Sequence, residues 1–171
     1  SIIPVRQYIM KKNRDVTSGV SYIAQSGGLA GGLGWWTPSQ DLPIVKVIHL
    51  GHAYDIEESE VIDYFIDDEN TKVILLFLRN ISEKLIKAVK RCATKKPVLF
   101  FYVGKDVQNE ESLKQAGGLA VRNYIELFEM GKVFLWCPKP RGPNLGMIGP
   151  SSGAIYIIAK EMRKQNLNLA K

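Results

Sequence analysis

Two uninterrupted apolar runs constrain the fold of this chain more than any other feature of its sequence. They read Val-Ile-Leu-Leu-Phe-Leu at residues 73–78 and Val-Leu-Phe-Phe-Tyr-Val at residues 98–103. Each has the length of a strand and falls far short of the roughly 20 apolar residues that a transmembrane helix needs, so we expect no membrane span. A strand that is apolar on both faces is typical of the buried centre of a parallel sheet.

Strand-like and helical segments alternate around these two runs. The expected strands are residues 20–24, 44–50, 71–78 and 98–103. A first helix is expected after residue 28 and should end at Pro38. Two further helices are expected after a capping box at Asp55–Glu58 and after a second capping sequence at Asn80–Glu83. This alternation predicts an α/β fold with an open parallel sheet and right-handed crossovers. In such a sheet, ligands bind beyond the carboxyl ends of the strands.

The pattern weakens after residue 103. The expected elements are a polar loop at 105–111, a helical turn at 113–116, a short strand at 119–121, a helix at 124–130, a strand or the tail of a connection at 133–137, and a helix at 154–165. The expected organisation is an N-terminal arm at 1–18, an α/β domain at 19–130, and a linker with a partial second α/β unit or extension at 131–171.

A glycine-rich turn, Gln25-Ser26-Gly27-Gly28, joins the first expected strand to its helix. A helix that opens on such a turn directs free backbone N–H groups and a partial positive charge at whatever lies in front of it, which favours a phosphate site. Two simpler interpretations remain open: Ser26 acts only as an N-cap, or the glycines serve only helix–sheet packing. A second turn of this kind, Gly149-Pro150-Ser151-Ser152-Gly153, precedes the last expected helix.

The charge of the chain is unevenly distributed. The net charge is +6, with basic runs at residues 1–14 and 83–96 and an acidic run at 55–69. Neither stacking aromatic residues nor a known binding module accompanies the lysines, so we do not expect a nucleic-acid partner. The basic runs are better interpreted as solvated helix faces, or as a means of attracting an anionic cofactor.

The two cysteines and the start of the chain indicate the cellular setting. Cys92 and Cys137 have no metal-ligand spacing and form no disulfide framework, so we expect no metal site of that kind and a reducing, cytoplasmic location. The chain begins with Ser1 and lacks a cationic segment followed by an apolar stretch, so we expect no signal peptide.

Several motifs along residues 15–165 resemble those of NDP-forming acyl-CoA synthetases, the relatives of succinyl-CoA synthetase. The motifs are YIAQSGGLA at 22–30, IHLGHAYDIEES at 48–59, DENTKVILL at 68–76, KKPV at 95–98, QAGG at 115–118 and IELF at 125–128. The resemblance implies a flavodoxin-like domain, with helices on both faces of an open parallel sheet. It also implies an enzyme that converts acyl-CoA, NDP and phosphate to carboxylate, CoA and NTP.

The same resemblance implies ligands, partners and site residues. CoA, a nucleotide and Mg²⁺ would take part, with no covalently bound cofactor, and other domains or subunits of the ATP-grasp type would complete the enzyme, with a homo-oligomer as a further expectation. In this family the N-termini of two helices hold a phosphohistidine. In this sequence, the residues that match those termini are Gln25, Ser26, Gly27, Gly28, Ser151, Ser152 and Gly153.

The sequence departs from the family at the phosphoryl acceptor. No histidine occurs between Val103 and Gln115, where the family has its histidine motif, and Arg79 stands where the family has a glutamate. His49 and His52 are the only histidines, so either could replace the acceptor, or the pair could form a weak metal site; we name His52 as the candidate acceptor. The alternative is a non-catalytic paralogue that retains the fold and an anion site, in which the two histidines are ordinary polar residues at a strand end.

Overall fold

The computed structural model describes residues 17–32 and 42–170. The chain forms two compact units that divide between Cys137 and Pro138. Most of the expected arm, at residues 1–16, lies outside the described residues. The same is true of the end of the first helix, expected at Pro38.

The first unit contains a five-stranded parallel sheet. Its strands are β1 (Gly19–Ala24), β2 (Ile44–His49), β3 (Thr71–Leu78), β4 (Val98–Tyr102) and β5 (Leu119–Ala120). They are ordered β2-β1-β3-β4-β5, and every neighbouring pair is parallel. The direction in which successive strands are added to the sheet changes at β1, which therefore lies between β2 and β3.

Helices cover both faces of this sheet, which confirms the expected flavodoxin-like α/β fold. They are α1 (from Gly27, described as far as residue 32), α2 (Glu58–Asp67), α3 (Glu83–Cys92), α4 (Val107–Gln115) and α5 (Tyr124–Trp136). Side chains of α2, α3 and α4 form one apolar core with one face of the sheet. Side chains of α1 and α5 form a second core on the opposite face.

The central strand β3 contributes to both cores. Ile74, Leu76 and Leu78 belong to the core beneath α2–α4, and the alternate residues Val73, Leu75 and Phe77 belong to the core beneath α1 and α5. Because successive side chains of a strand point to opposite faces, a strand buried on both faces must be apolar at every position. This requirement explains the uninterrupted run at residues 73–78.

The predicted capping box of α2 is wrong by two residues. Glu57, and not Asp55, is the N-cap, and its side chain accepts a hydrogen bond from the backbone of Glu60. Glu60 returns the bond by accepting from the backbone N–H of Glu57 at 2.9 Å. Two acidic pairs with the same spacing occur in this segment, so the sequence pattern alone does not distinguish them. The next helix, α3, is capped by Ser82, whose Oγ accepts from Leu85 N–H at 3.1 Å.

Two further predictions on the later part of this unit are wrong. The expected polar loop at 105–111 overlaps α4, which is capped by Asp106 and buries only Leu113, so it lacks an apolar face that would reveal a helix. The strand considered at 133–137 is the end of α5. Gly131 lets this helix approach β3 closely, since a Cβ there would lie 3.4 Å from the side chain of Leu75.

The acidic and basic runs of the sequence pair with each other across α2 and α3. Arg91 binds Asp63 at 2.7 Å, and the flanking pairs are Lys84–Glu57 at 2.7 Å and Lys95–Asp67 at 3.2 Å. Exposed pairs of this kind contribute only about 0–1 kcal/mol each. This arrangement agrees with the interpretation of the lysines as a solvated helix face.

The second unit is one β–α–β segment. Its elements are β6 (Asn144–Leu145), α6 (Ser152–Lys164) and β7 (Asn168–Leu169), and the two strands are parallel. Among residues 17–32 and 42–170, no helix is both long enough and apolar enough to span a bilayer.

Candidate functional site

The candidate site lies where β1, β2 and β3 end side by side. The register pairs Ala24, the last residue of β1, with His49 of β2 and with Phe77 of β3. The glycine-rich turn after β1, the loop after β2 and the Arg79–Asn80 pair after β3 therefore meet at one edge of the sheet. This is the edge at which a parallel α/β sheet binds its ligands.

Gln25 links the three loops through its side-chain amide. Its Oε1 accepts hydrogen bonds from the backbone N–H of Arg79 at 2.6 Å and of Asn80 at 3.0 Å. Its Nε2 donates to Glu58 Oε1 at 3.0 Å and to the carbonyl oxygen of Asn80 at 3.2 Å. The residue is 7% exposed, and its amide is fully used within the protein. Gln25 therefore positions the candidate phosphate-binding turn, and its side chain is not free to bind phosphate.

The start of α1 leaves backbone donors open. Ser26 is the N-cap: its carbonyl oxygen accepts from Ala30 N–H at 3.0 Å, and its Oγ lies 3.5 Å from the backbone nitrogen of Leu29. In the described ranges, the backbone N–H groups of Gly27 and Gly28 have no acceptor. Such groups at a helix N-terminus attract anions. Ser26 therefore acts as the N-cap of α1, and the backbone N–H groups of Gly27 and Gly28 remain without an acceptor among the described residues.

The imidazole of His49 packs directly against Gly27. A Cβ built on Gly27 would lie 3.0 Å from His49 Cε1 and 3.2 Å from Nε2, which is tighter than most contacts of a real Cβ. Because glycine has no Cβ, the His49 ring can pack against the first residue of α1. Nothing lies within 4 Å of a Cβ built on Gly28, so the helix N-terminus remains open on that side.

Arg79 lies next to the same group of residues. The loop after β2 turns through Gly51, whose φ of +61° is a left-handed conformation that favours glycine. The carbonyl oxygen of Gly51 accepts a hydrogen bond from Arg79 Nη2 at 3.3 Å, and a Cβ on Gly51 would lie 3.7 Å from His49 Nε2. We call Gly27, Gly28, His49, Gly51 and Arg79 the edge cluster. It combines a helix N-terminus, an imidazole and a guanidinium, which are three groups suited to an anion.

His52, the acceptor candidate, occupies a different position from His49. Its ring stacks on Tyr54, with the ring centroids 5.7 Å apart and the planes inclined by 19°. It lines a cavity of about 240 Å³ together with Gln25, Glu57, Glu58 and other residues. The histidine that packs against α1 is therefore His49. Both lie at the end of the same predicted strand, so the sequence could not distinguish their positions.

The second glycine-rich turn caps α6 in the other unit. Ser151 is the N-cap, and its Oγ accepts from the backbone N–H of Ala154 at 3.3 Å. Ser152 and Gly153 form the first turn of α6, and all three residues are exposed. Nothing lies within 4 Å of a Cβ built on Gly153. This turn therefore has the same local form as the start of α1: a serine cap followed by an open helix N-terminus.

Two residues that shape the site, Glu58 and Tyr124, could not be recognised from the sequence. Glu58 binds Gln25 although it lies 33 positions later in the chain. Tyr124 of α5 donates to the carbonyl oxygen of Leu29 at 3.2 Å and accepts from Tyr22 Oη at 3.4 Å, which connects α1 to α5. Burial raises the pKa of both tyrosines, so both stay protonated and able to donate near neutral pH. No local motif predicts either contact.

Metal ligands do not cluster in the part of the chain that the structure describes. There, no group of three or more His, Cys, Asp or Glu residues is placed to hold a metal ion.

A family model matches this chain over residues 17–112. The family is described as a succinyl-CoA ligase-like flavodoxin domain. The match begins just before β1 and ends in α4, so it contains the whole edge cluster.

Two relatives are ADP-forming acetate–CoA ligases of archaea. The ligase of Methanocaldococcus jannaschii is 27% identical over 89% of this chain and 24% of its own length. The α subunit of acetate–CoA ligase II of Pyrococcus furiosus is 26% identical over 88% of this chain and 37% of its own length. This chain therefore spans well under half the length of either relative.

Two solved structures share the fold. A protein of Pyrococcus horikoshii superposes with a TM-score of 0.80 and 29% identity, over 90% of this chain and 36% of that one. The dinucleotide-forming acetyl-coenzyme A synthetase 1 of Candidatus Korarchaeum cryptofilum, in complex with phosphate and ADP, gives a TM-score of 0.79 and 25% identity, over 92% of this chain and 39% of that one.

Proposed function

Because this chain belongs to the family of succinyl-CoA ligase-like flavodoxin domains, we propose that it is the CoA-ligase module of an NDP-forming acyl-CoA synthetase. The complete enzyme would convert acyl-CoA, NDP and phosphate to carboxylate, CoA and NTP. The chain would need other domains or subunits for this reaction, since it spans 24% and 37% of the lengths of two ADP-forming relatives.

The observation that carries this proposal is the open N-terminus of α1 within the edge cluster. Among the described residues the N–H groups of Gly27 and Gly28 have no acceptor, and His49 packs against Gly27. Arg79 donates a hydrogen bond to the carbonyl oxygen of Gly51, which lies next to His49. An oxyanion placed there would accept hydrogen bonds from backbone and side-chain donors at once. We propose that inorganic phosphate binds at this point. A relative with the same fold was solved in complex with phosphate and ADP, which supports the proposal.

The remaining parts of the enzyme follow from the same proposal. The relative from Pyrococcus furiosus is a subunit, so we propose that an ATP-grasp domain or subunit supplies the nucleotide site. Ser151, Ser152 and Gly153 would bind phosphate in the same manner as the start of α1. Homo-oligomer formation and a cytoplasmic location belong to this proposal as well.

Two substitutions of Gly27 test the role of its backbone N–H. We expect Gly27→Pro to weaken phosphate binding about tenfold, because it removes one donor from the anion site. Proline is well tolerated at the first position of a helix, and the preceding residue, Ser26, is outside the helix. The measurement is isothermal titration calorimetry of the full chain with inorganic phosphate at low ionic strength.

Gly27→Ala is the matched control. Its Cβ meets His49 just as that of proline does, but the N–H remains. We expect it to bind phosphate about tenfold more tightly than Gly27→Pro, since any displacement of His49 by the added Cβ is common to both variants and only proline lacks the N–H. Equal affinities for the proline and alanine variants would rule out the backbone N–H of Gly27 as a phosphate ligand.

A second candidate function is a non-catalytic subunit that binds phosphate without transferring it. Arg79 favours this candidate, because a guanidinium stands where the family has a carboxylate. The absence of histidine between Val103 and Gln115 favours it too. In this case the fold and the edge cluster would serve assembly or regulation of a partner that carries out the chemistry.

Phosphoryl labelling distinguishes the two candidates. The chain is incubated with γ-labelled ATP, and separately with acetyl-CoA and labelled phosphate, with and without an ATP-grasp subunit. The catalytic proposal predicts an acid-labile label that His49→Gln or His52→Gln abolishes, because these are the only histidines of the chain. Phosphate binding without any label would instead establish the non-catalytic function.

A further inference from the structure

The cavity beside the edge cluster contains a buried carboxylate without a cationic partner. Glu58 is 5% exposed and lines the cavity of about 240 Å³. Buried glutamates are normally paired with a cation. Among residues 17–32 and 42–170, however, neither a lysine nor an arginine forms an ion pair with Glu58.

Only one oxygen of this carboxylate has a hydrogen-bond partner. Glu58 Oε1 accepts from Gln25 Nε2 at 3.0 Å, and the described part of the chain offers no donor to Oε2. No fully buried side-chain polar atom of the described residues lacks a partner, so Oε2 must remain accessible. The cavity that Glu58 lines supplies this access. One carboxylate oxygen thus faces the cavity with its acceptor capacity unused.

The position of Glu58 in the fold suits a carboxylate that binds a ligand. Glu58 is the first residue of α2, where the positive end of the helix dipole stabilises a carboxylate. Its neighbour Glu57 already makes other interactions, since it forms an ion pair with Lys84 at 2.7 Å and caps the helix. Glu58 is therefore the carboxylate that remains available to a ligand in this cavity.

The other polar groups of the cavity suit a small organic molecule. Asn80, Ser82 and His52, which all have polar side chains, line the same cavity as Glu58. The volume is below the range of about 300–1,000 Å³ that is typical of sites for drug-sized ligands. A metal ion is a poor candidate, because hard cations need several oxygen ligands and Glu58 offers one free carboxylate oxygen.

We propose that this cavity binds a small primary amine, whose ammonium group donates a hydrogen bond to Glu58 Oε2. An ammonium ion offers three N–H donors and a positive charge, and would satisfy both the unused oxygen and the unpaired carboxylate. The amine would occupy a position separate from that of phosphate, which belongs to the N-terminus of α1. This inference does not depend on the proposed function.

The test is a titration of the ¹⁵N-labelled full chain with n-propylammonium chloride, followed by amide chemical shifts. We expect saturable shifts at Gly51 and Ser82, which line the cavity. Tetramethylammonium carries the same charge without an N–H donor, and n-propanol has a similar shape without the charge. Both should bind at least about tenfold more weakly, because tetramethylammonium has no N–H donor and the propanol hydroxyl donates without a positive charge.

Two substitutions test whether Glu58 is the group that binds propylammonium. Glu58→Gln removes the charge and should weaken propylammonium binding by about tenfold or more. Glu69→Gln removes the same charge from an exposed residue outside the cavity, and should leave the affinity within about twofold. If Glu58→Gln fails to fold, the comparison of the three probes on the unmodified chain decides the outcome.

Three results would overturn the proposal. The first is absence of saturable shifts, which would mean that the cavity holds only water. The second is equal binding of tetramethylammonium, which would exclude an N–H donor to Glu58, or of n-propanol, which would exclude a role for the positive charge. The third is a titration with MgCl₂ that produces the same chemical-shift changes at lower concentration, which would assign the cavity to a metal ion instead of an amine.

Discussion

Replacing Gln25 with leucine is expected to lower the free energy of unfolding by about 3 kcal/mol, the sum of several hydrogen bonds of ordinary net strength. Leucine has nearly the same size but cannot accept from the backbone N–H groups of Arg79 and Asn80. It also removes the one hydrogen-bond donor that Glu58 has among the described residues. The measurement is equilibrium unfolding in urea, monitored by circular dichroism.

Two further variants make this result specific. Gln108 is exposed in α4, and its side chain forms no hydrogen bond with the described residues, so Gln108→Leu should change stability by no more than about 0.5 kcal/mol. Gln25→Glu keeps the acceptor for Arg79 and Asn80 but places a carboxylate against Glu58, so its stability should recover as the pH falls and one carboxyl is protonated. Equal stability of the Gln25→Leu chain and the unmodified chain would show that the three loops do not depend on this amide.

Replacing Arg79 with glutamate is expected to weaken phosphate binding by well over tenfold, because a charge-assisted donor is lost and a like charge is added. The Arg79 side chain is exposed and its only described hydrogen bond goes to Gly51, so folding should be affected little. Arg79→Gln, which removes the charge without inverting it, should give an intermediate affinity. Titration calorimetry with phosphate measures both.

Lys72→Glu is the matched control for this substitution. Lys72 lies near the start of β3 and Arg79 directly follows its end, so both variants change the net charge equally at opposite ends of one strand. The control should retain phosphate affinity within about twofold at physiological salt, since charges farther apart than the screening length interact weakly. Equal losses in both variants would mean that Arg79 acts only through net charge.

The sheet could be predicted from the sequence because its central strand leaves few alternatives. Residues 73–78 supply both cores, and a chain with this run in an alternating pattern can bury it only between two layers of helices. The later part of the domain was harder to predict. Helix α4 buries only Leu113, so its sequence lacks the periodic apolar face on which helix prediction depends.

The candidate site could be placed, but its contacts could not. Strand ends in a parallel sheet meet at one edge, so the turn at Gln25–Gly28 and Arg79 could be placed at that edge from the expected parallel strands alone. The roles of Gln25 and Glu58 depend on hydrogen bonds between residues far apart in the chain. The same holds for His49, whose ring meets Gly27 only after β2 has packed beside β1.

The most direct test of the central claim is a crystal structure of the full chain grown in the presence of inorganic phosphate. Our account predicts phosphate at the start of α1, within hydrogen-bond distance of the Gly27 and Gly28 N–H groups and next to His49 and Arg79. A chain saturated with phosphate whose electron density shows this position empty, or shows the anion bound only elsewhere, would contradict the claim that the edge cluster is a phosphate site.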